Sequence, residues 1–252
     1  MQENMQKNNN IELNPNVSTD CVIFGFDFEK LNVLLIDRGA ISGNKSTRLA
    51  LPGNLIYNNE NLDMAASRVL NELTGLKDIY LEQVGAFGDP DRIHKEADQE
   101  WLKSIRAQPE ARVITVAYYS LVKMDDYIPQ ASSFAKSAGW VAVKDIKELA
   151  FDHMEILQSA LLKLKDKIKT HPIGFNLLPE KFTLGQLHKL YEAILDKKLD
   201  KRNFRRKILK LDILTNLDEK QKGVPHKPSQ FFTFNEVNYK EISETGFDNF
   251  GF

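Results

Sequence analysis

The chain has 252 residues, 42% hydrophobic and 27% charged, which suits a soluble globular protein with a full core and excludes extensive disorder. Its formal net charge is −1, yet thirteen Lys and Arg against six Asp and Glu make the stretch from Lys181 to Lys227 +7 and leave −8 for the remainder. A basic module suited to an anionic partner is joined to an acidic one, and the length leaves room for two domains of unequal size.

In chain order, "MQENMQKNNNIELNP" has no basic start followed by an apolar run, so residues 1–15 read as a flexible polar arm rather than a signal peptide. No stretch is apolar for long enough to span a membrane. "DCVIFGFDF" (20–28) and "LNVLLIDR" (31–38) predict a β-hairpin. Cys21, the only cysteine, is expected there as a buried strand thiol; no internal disulfide can form, and a reducing cytoplasm fits. "GAISGNKSTR" predicts a loop, and "LALPGNLIY" a return to extended structure around Pro52 and Gly53. Leu62, Ala65, Ala66, Val69, Leu70 and Leu73 recur at helical spacing, with Gly75 as the stop. Further strands are expected at 79–87, 112–122 and 139–146, with a long polar connection between the first two whose centre can form a short helix. "HMEILQSALLKLKDKIK" (153–169) predicts a helix, and "THPIGFNLLPEK" a linker at the domain boundary.

The C-terminal part follows a different pattern. Thr183 and Gln186 have capping-box spacing, and Leu184, Leu187, Tyr191 and Ile194 form the stripe of the helix they open. After the turn "LDKKLD", Asp200 caps "KRNFRRKILKL", whose core face is Phe204, Ile208 and Leu211 and whose opposite face carries Arg202 and Arg206. "DILT" and "QFFTF" flank a Gly- and Pro-containing turn. Two helices, the second basic, and a hairpin make up a winged helix-turn-helix. The tail 241–252 is expected to be weakly ordered, or to dock through its phenylalanines.

Residues 52–76, "PGNLIYNNENLDMAASRVLNELTGL", resemble the Nudix hydrolase signature G-x5-E-x7-R-E-U-x-E-E-x-G-U, in which U is aliphatic. Gly53, Glu60, Arg68, Leu70, Glu72, Gly75 and Leu76 match in kind and order, although Glu60 lies one residue too far from Gly53. Val69 and Leu73 stand where the pattern requires acids. Hydrolysis needs several carboxylates on one helix face to hold divalent metal against a pyrophosphate, which Glu72 alone cannot do. No catalytic residue, metal site or cofactor is therefore expected. Gly53 is expected to allow a sharp turn, Arg68 to pair with Glu60, and Gly75 to end the helix.

A degenerate Nudix box followed by a basic winged helix resembles the Nudix-related bacterial regulators of the NrtR and AraR group. "VGAFGDPDR", "VAYYSLV", "FDHMEIL", "IGFNLLPEKFTLGQLHKLYEAI" and "LDKRNFRRKIL" extend the match over nearly the whole chain, and "IGFNLLP" is most similar to the arabinose-responsive regulators of Bacteroidetes. The resemblance implies an α+β protein with a Nudix-like α/β/α sandwich on a mixed sheet at 16–170, a winged helix-turn-helix at 171–240 and a tail at 241–252. It also implies a homodimeric, non-enzymatic repressor, with no membrane association, that binds double-stranded operator DNA and senses a small sugar such as L-arabinose. The alternatives are an ADP-ribose-responsive regulator of NAD metabolism and an active hydrolase of ADP-ribose-type substrates. One departure stands out: "HKEADQEWLKSIRAQPEA" (94–111) is inserted where the family has a short "RDPRGR"-like loop beside the ligand cleft.

Arg pairs with guanine and Asn with adenine in the major groove, so Arg202, Asn203 and Arg206 are expected at base edges. Lys201, Arg205, Lys207 and Lys227 suit phosphates, with Thr183 a phosphate contact at a helix start. For the effector, the resemblance points to Arg38, Glu72, Asp89, Asp91, Arg92 and Tyr118 around the Nudix cleft. His153 reads as a satisfied interdomain histidine, and Trp140 as core.

Overall fold

A computed structural model describes residues 12–39, 48–173, 177–225 and 227–246. The core of the expected loop 39–48, most of the polar arm and the three tail phenylalanines lie outside these residues. The sheet of the first unit is built on one long strand, β1 (Leu13–Phe26). It pairs antiparallel with β2 (Leu31–Asp37) and with β4 (Gly53–Tyr57), and parallel with β6 (Ile114–Leu121). β3 (Leu49–Ala50) and β7 (Ser137–Ala142) pair with β2, and β5 (Glu82–Phe87) completes the seven-stranded mixed sheet beside β6.

β1 begins inside the expected arm because its polar start is held from two sides. Leu13 pairs with Tyr57, Asn14 donates to Asn58 at 3.2 Å, and Asn16 donates to the Arg112 carbonyl at 2.8 Å. The apolar run from Cys21 is continuous because both faces of the sheet are covered. Val22, Phe24, Val33 and Tyr119 pack with Ile156, Leu157, Ala160 and Leu164 of α3 (His153–Lys167). Cys21, Ile23, Leu34 and Tyr118 pack on the other side with Ala66 and Leu70 of α1 (Leu62–Thr74). The expected α/β/α sandwich is observed. Asn61 caps α1 by accepting from Met64 N at 2.8 Å, and Gly75, at φ 76°, ends it in the left-handed conformation that glycine adopts without strain. The polar connection contains α2 (Glu96–Ile105).

The second unit is a three-stranded sheet, β8 (Phe182–Thr183), β10 (Gln230–Phe234) and β9 (Leu214–Lys220), with α4 (Leu184–Leu195) and α5 (Lys201–Lys210). The winged-helix expectation holds. β9 starts two residues later than "DILT" and runs further, through "LDEK", because pairing with β10 sustains a strand whose mostly exposed residues carry no apolar alternation. α6 (Glu236–Thr245) follows, so the expected weakly ordered tail is helical as far as Thr245. The segment expected as a linker is buried at Leu177 and Leu178, and one apolar cluster runs from α3 through these residues to Phe182, Tyr191 and Phe204. The two units share a core. Among the described residues no helix is long and apolar enough to cross a membrane.

Candidate functional site

A narrow cleft of about 30 Å³, partly open to solvent, lies where β1, the end of β2, the start of β4, α2 and the start of α3 meet. Its floor is Asp20, a single acid at the head of an apolar strand run. Asp20 accepts from Thr115 Oγ1 at 2.6 Å and lies 3.3 Å from His153 Nε2 and 3.5 Å from an Arg92 nitrogen. Burial would raise its pKa, but His153, Arg92 and Thr115 outweigh burial and hold the carboxyl at about 2. Gly53 meets this group directly, since a Cβ there would lie 1.7 Å from Asp20 Oδ1. The first glycine of the box is required by the close approach of a carboxylate; it sits in strand β4, not in the sharp turn expected of it.

His153 is satisfied, but at the cleft floor rather than between domains. Its Nδ1 accepts from Leu51 N at 2.9 Å, which leaves Nε2 to face Asp20. Arg92 makes a two-pronged pair with Asp152, both contacts at 2.7 Å.

The inserted segment forms one wall. Asp98, on α2, accepts from Arg38 Nη2 at 2.8 Å and from the Phe151 amide at 2.9 Å. The Arg38 guanidinium lies 4.8 Å from the Trp101 ring and 4.7 Å from the Phe151 ring, and Trp101 Nε1 donates to the Arg38 carbonyl at 3.3 Å. Burial lowers the Arg38 pKa, and Asp98 opposes that shift. Phe151 holds φ at 56°, a strained value for a bulky residue, and its amide is secured by Asp98. Arg106 follows α2 directly. Burial pulls its pKa down to about 10, Asp20 opposing the shift and Arg92 adding to it, and its Nε and Nη1 are buried without hydrogen-bond partners among the described residues. It also borders a second, adjoining cleft of about 520 Å³, whose rim includes Tyr57 and Glu72.

The box helix is arranged for packing. Arg68 donates to Glu60 Oε2 at 2.9 Å, to Glu72 Oε2 at 2.9 Å and to the Leu55 carbonyl at 3.1 Å, and lies 4.2 Å from the Tyr57 ring. Glu60 also accepts from Tyr57 N at 2.7 Å, so the extra residue before it is absorbed in a closed turn. Val69 and Leu73 are fully buried against Ile36, Ala50 and Ala135. Among the described residues no group of three or more His, Cys, Asp or Glu is arranged to hold a metal ion.

Of the residues proposed for the effector, Arg38 and Arg92 line the first cleft and Glu72 the second. Asp89 and Asp91 lie outside both, exposed in the turn that leads to Arg92, where Asp89 accepts from Asp91 N at 2.8 Å. Tyr118 is under α1, away from the cleft, and donates to Asp63 at 2.8 Å; burial and Asp63 push its pKa up and keep the hydroxyl protonated. Asp20, Asp98, Trp101 and Arg106 were missed. An acid opening an apolar strand and a tryptophan in a polar insertion were the available signals.

On the second unit, Asp200 accepts from Asn203 N at 2.7 Å and starts α5, while Phe204 and Ile208 bury its inner face. Lys201, Arg202, Arg205 and Arg206 are exposed on the outer side, and Arg206 donates to Asn203 Oδ1 at 2.8 Å. Asn203 and Lys207 are half-buried at the flanks, and Lys227 is exposed on the wing. Thr183 lies elsewhere: it is buried, and its hydroxyl accepts from Gln186 N at 3.2 Å in a complete capping box.

The family profile described as the NrtR DNA-binding winged helix domain matches residues 174–234. The ADPR responsive transcriptional repressor NtrR of Acinetobacter baylyi is 30% identical over 229 residues, which cover 89% of this chain and 84% of that protein. The crystal structure of Shewanella oneidensis NrtR aligns with a TM-score of 0.68 at 24% identity, over 92% of this chain and 98% of that one. Its complex with a 27mer DNA aligns at 0.66 and 23% identity, over 89% of this chain and 95% of that one. The two structures establish the shared fold, and the Acinetobacter relative extends the likeness in sequence along most of both chains. The chain belongs to the NrtR-type transcriptional regulators, which join a Nudix fold to a C-terminal winged helix domain.

Proposed function

We propose that this protein is a DNA-binding repressor whose Nudix-like unit senses ADP-ribose without hydrolysing it. The observation that carries the reading is the 30% identity, over 89% of the chain, to a repressor named for its response to ADPR. The cleft supports it. An arginine with unanswered buried N–H groups beside aromatic walls suits a ligand with an anionic centre and flat or sugar-like ends. The arabinose reading has no comparable support, since a neutral pentose leaves that cation unanswered. Hydrolysis is disfavoured by the packing of Val69 and Leu73 where metal-holding acids would be needed.

The exposed side of α5 suits the major groove, with Arg202, Asn203 and Arg206 at base edges and Lys201, Arg205, Lys207 and the wing's Lys227 on phosphates. A homodimer would bring two such helices to two half-sites. ADP-ribose would have to bind one placement of those helices better than another, because equal affinity for both shifts nothing. The test is a gel shift on the protein's own upstream region with ADP-ribose or L-arabinose added. The expected result is a retarded complex whose affinity changes with ADP-ribose and not with arabinose. Absence of a complex would overturn the DNA-binding part, and a response to arabinose alone the effector part.

A further inference from the structure

We propose that Arg106, delivered by the inserted segment, is the specificity-determining residue for the ligand's phosphates, with the charged centre of the ligand seated where the two clefts meet. The inference rests on the ADP-ribose reading and adds the residue and the ligand's orientation.

Three arginines border the first cleft, and two are already engaged. Arg38 is paired with Asp98 and enclosed by Trp101 and Phe151. Arg92 is held by both oxygens of Asp152 and faces Asp20. Arg106 differs in lacking an acidic partner: among the described residues no carboxylate lies within ion-pair distance of it, and its Nε and Nη1 are buried without a hydrogen-bond partner, whereas Arg38 keeps Asp98 at 2.8 Å. A buried guanidinium with unanswered donors is costly unless an acceptor arrives, and a phosphate oxygen pair matches its planar fork.

Its position supplies the orientation. Arg106, Ile105, Asn54 and Phe134 are common to both clefts, so this residue stands at their junction. A diphosphate flanked by two nucleoside- or sugar-like ends has its charge in the middle; the second cleft, at about 520 Å³, has room for one end, while the first, at about 30 Å³, admits little more than a water-sized group. In the first, Trp101 and Phe134 meet edge to face, with centroids 5.3 Å apart, and form an apolar wall. The Arg106 backbone is fixed, its amide bonded to the Leu102 carbonyl at 2.8 Å and α2 anchored through Asp98. The insertion thus brings its own cation to a cleft whose other cations are neutralised.

The experiment is calorimetric titration of the full chain, its R106Q and R106K variants with ADP-ribose, ADP, adenosine and ribose. R106Q removes no existing hydrogen bond of Nε or Nη1, so its thermal midpoint is expected to match the parent. The expected result is a ~10–100-fold loss of ADP-ribose and ADP affinity in R106Q, partial retention in R106K, and no change for adenosine or ribose. Equal ADP-ribose binding by parent and R106Q overturns the Arg106 assignment while the ADP-ribose reading stands. Binding of ADP but not ADP-ribose by the parent, lost in R106Q, supports Arg106 and overturns that reading. If neither diphosphate binds the parent, both fall.

Discussion

Arg38 and Asp98 form an ion pair at 2.8 Å with side chains only 2% and 5% exposed, joining the end of β2 to α2. Removing one partner strands a buried charge, which typically costs about 3–5 kcal/mol. Urea denaturation of D98N should show a loss in that range. The double variant R38M/D98L, which leaves neither charge behind, should recover much of it. A D98N protein as stable as the parent would mean the pair does not hold the insertion in place.

Asp20 gives stability a defined acid dependence. Its folded pKa of about 2 lies below the ordinary value of 3.8, so its contribution is fully present above pH 4 and disappears as pH falls towards 2. The depression corresponds to about 2 kcal/mol. Denaturation of the parent and of D20N at a series of pH values should give curves that converge by that amount across the window. Parallel curves would show that the pairing with His153, Arg92 and Thr115 does not act in solution.

Restoring the acids of the box should not restore an enzyme. Val69 and Leu73 are 0% and 1% exposed, so V69E or L73E places an unpaired carboxylate in a packed cluster. Each is expected to lower the thermal midpoint by several degrees, with no Mg²⁺-dependent release of AMP from ADP-ribose measured by chromatography. Hydrolysis by V69E/L73E would mean the helix retains a usable metal face.

The outer side of α5 should separate two kinds of contact. Arg202→Ala and Arg206→Ala are expected to cost about 1–3 kcal/mol each on the cognate site and little on random DNA. Lys201→Ala and Arg205→Ala should weaken both similarly and flatten the dependence of log affinity on log salt by about one unit each. Fluorescence anisotropy at several salt concentrations measures both quantities. An unchanged slope for Lys201→Ala would remove it from the phosphate set.

What could be read from the sequence was local. The stripe of Leu62, Ala66, Val69 and Leu73, the Thr183–Gln186 capping box, the Asp200 cap and the buried Phe204 and Ile208 depend on residues three to eight positions apart, where helix geometry alone decides proximity. The same locality explains the errors. Glu60 could be matched to Arg68 across a loop, but Tyr118, one position from Tyr119, was assigned to the cleft, and strand alternation turns it under α1 instead.

The cleft itself was settled by tertiary structure. Arg38 and Asp98 are 60 residues apart, Asp20 and Thr115 are 95 apart, and Leu51 reaches His153 over 102. No periodicity links such positions; sheet topology brings them together, and burial then requires each charge to find a partner. By itself the sequence determined two units, a packed box helix and a cationic second helix, because short-range patterns encode them. Only the folded chain decided which arginines are neutralised and which one faces the ligand space, because that depends on where the insertion lands.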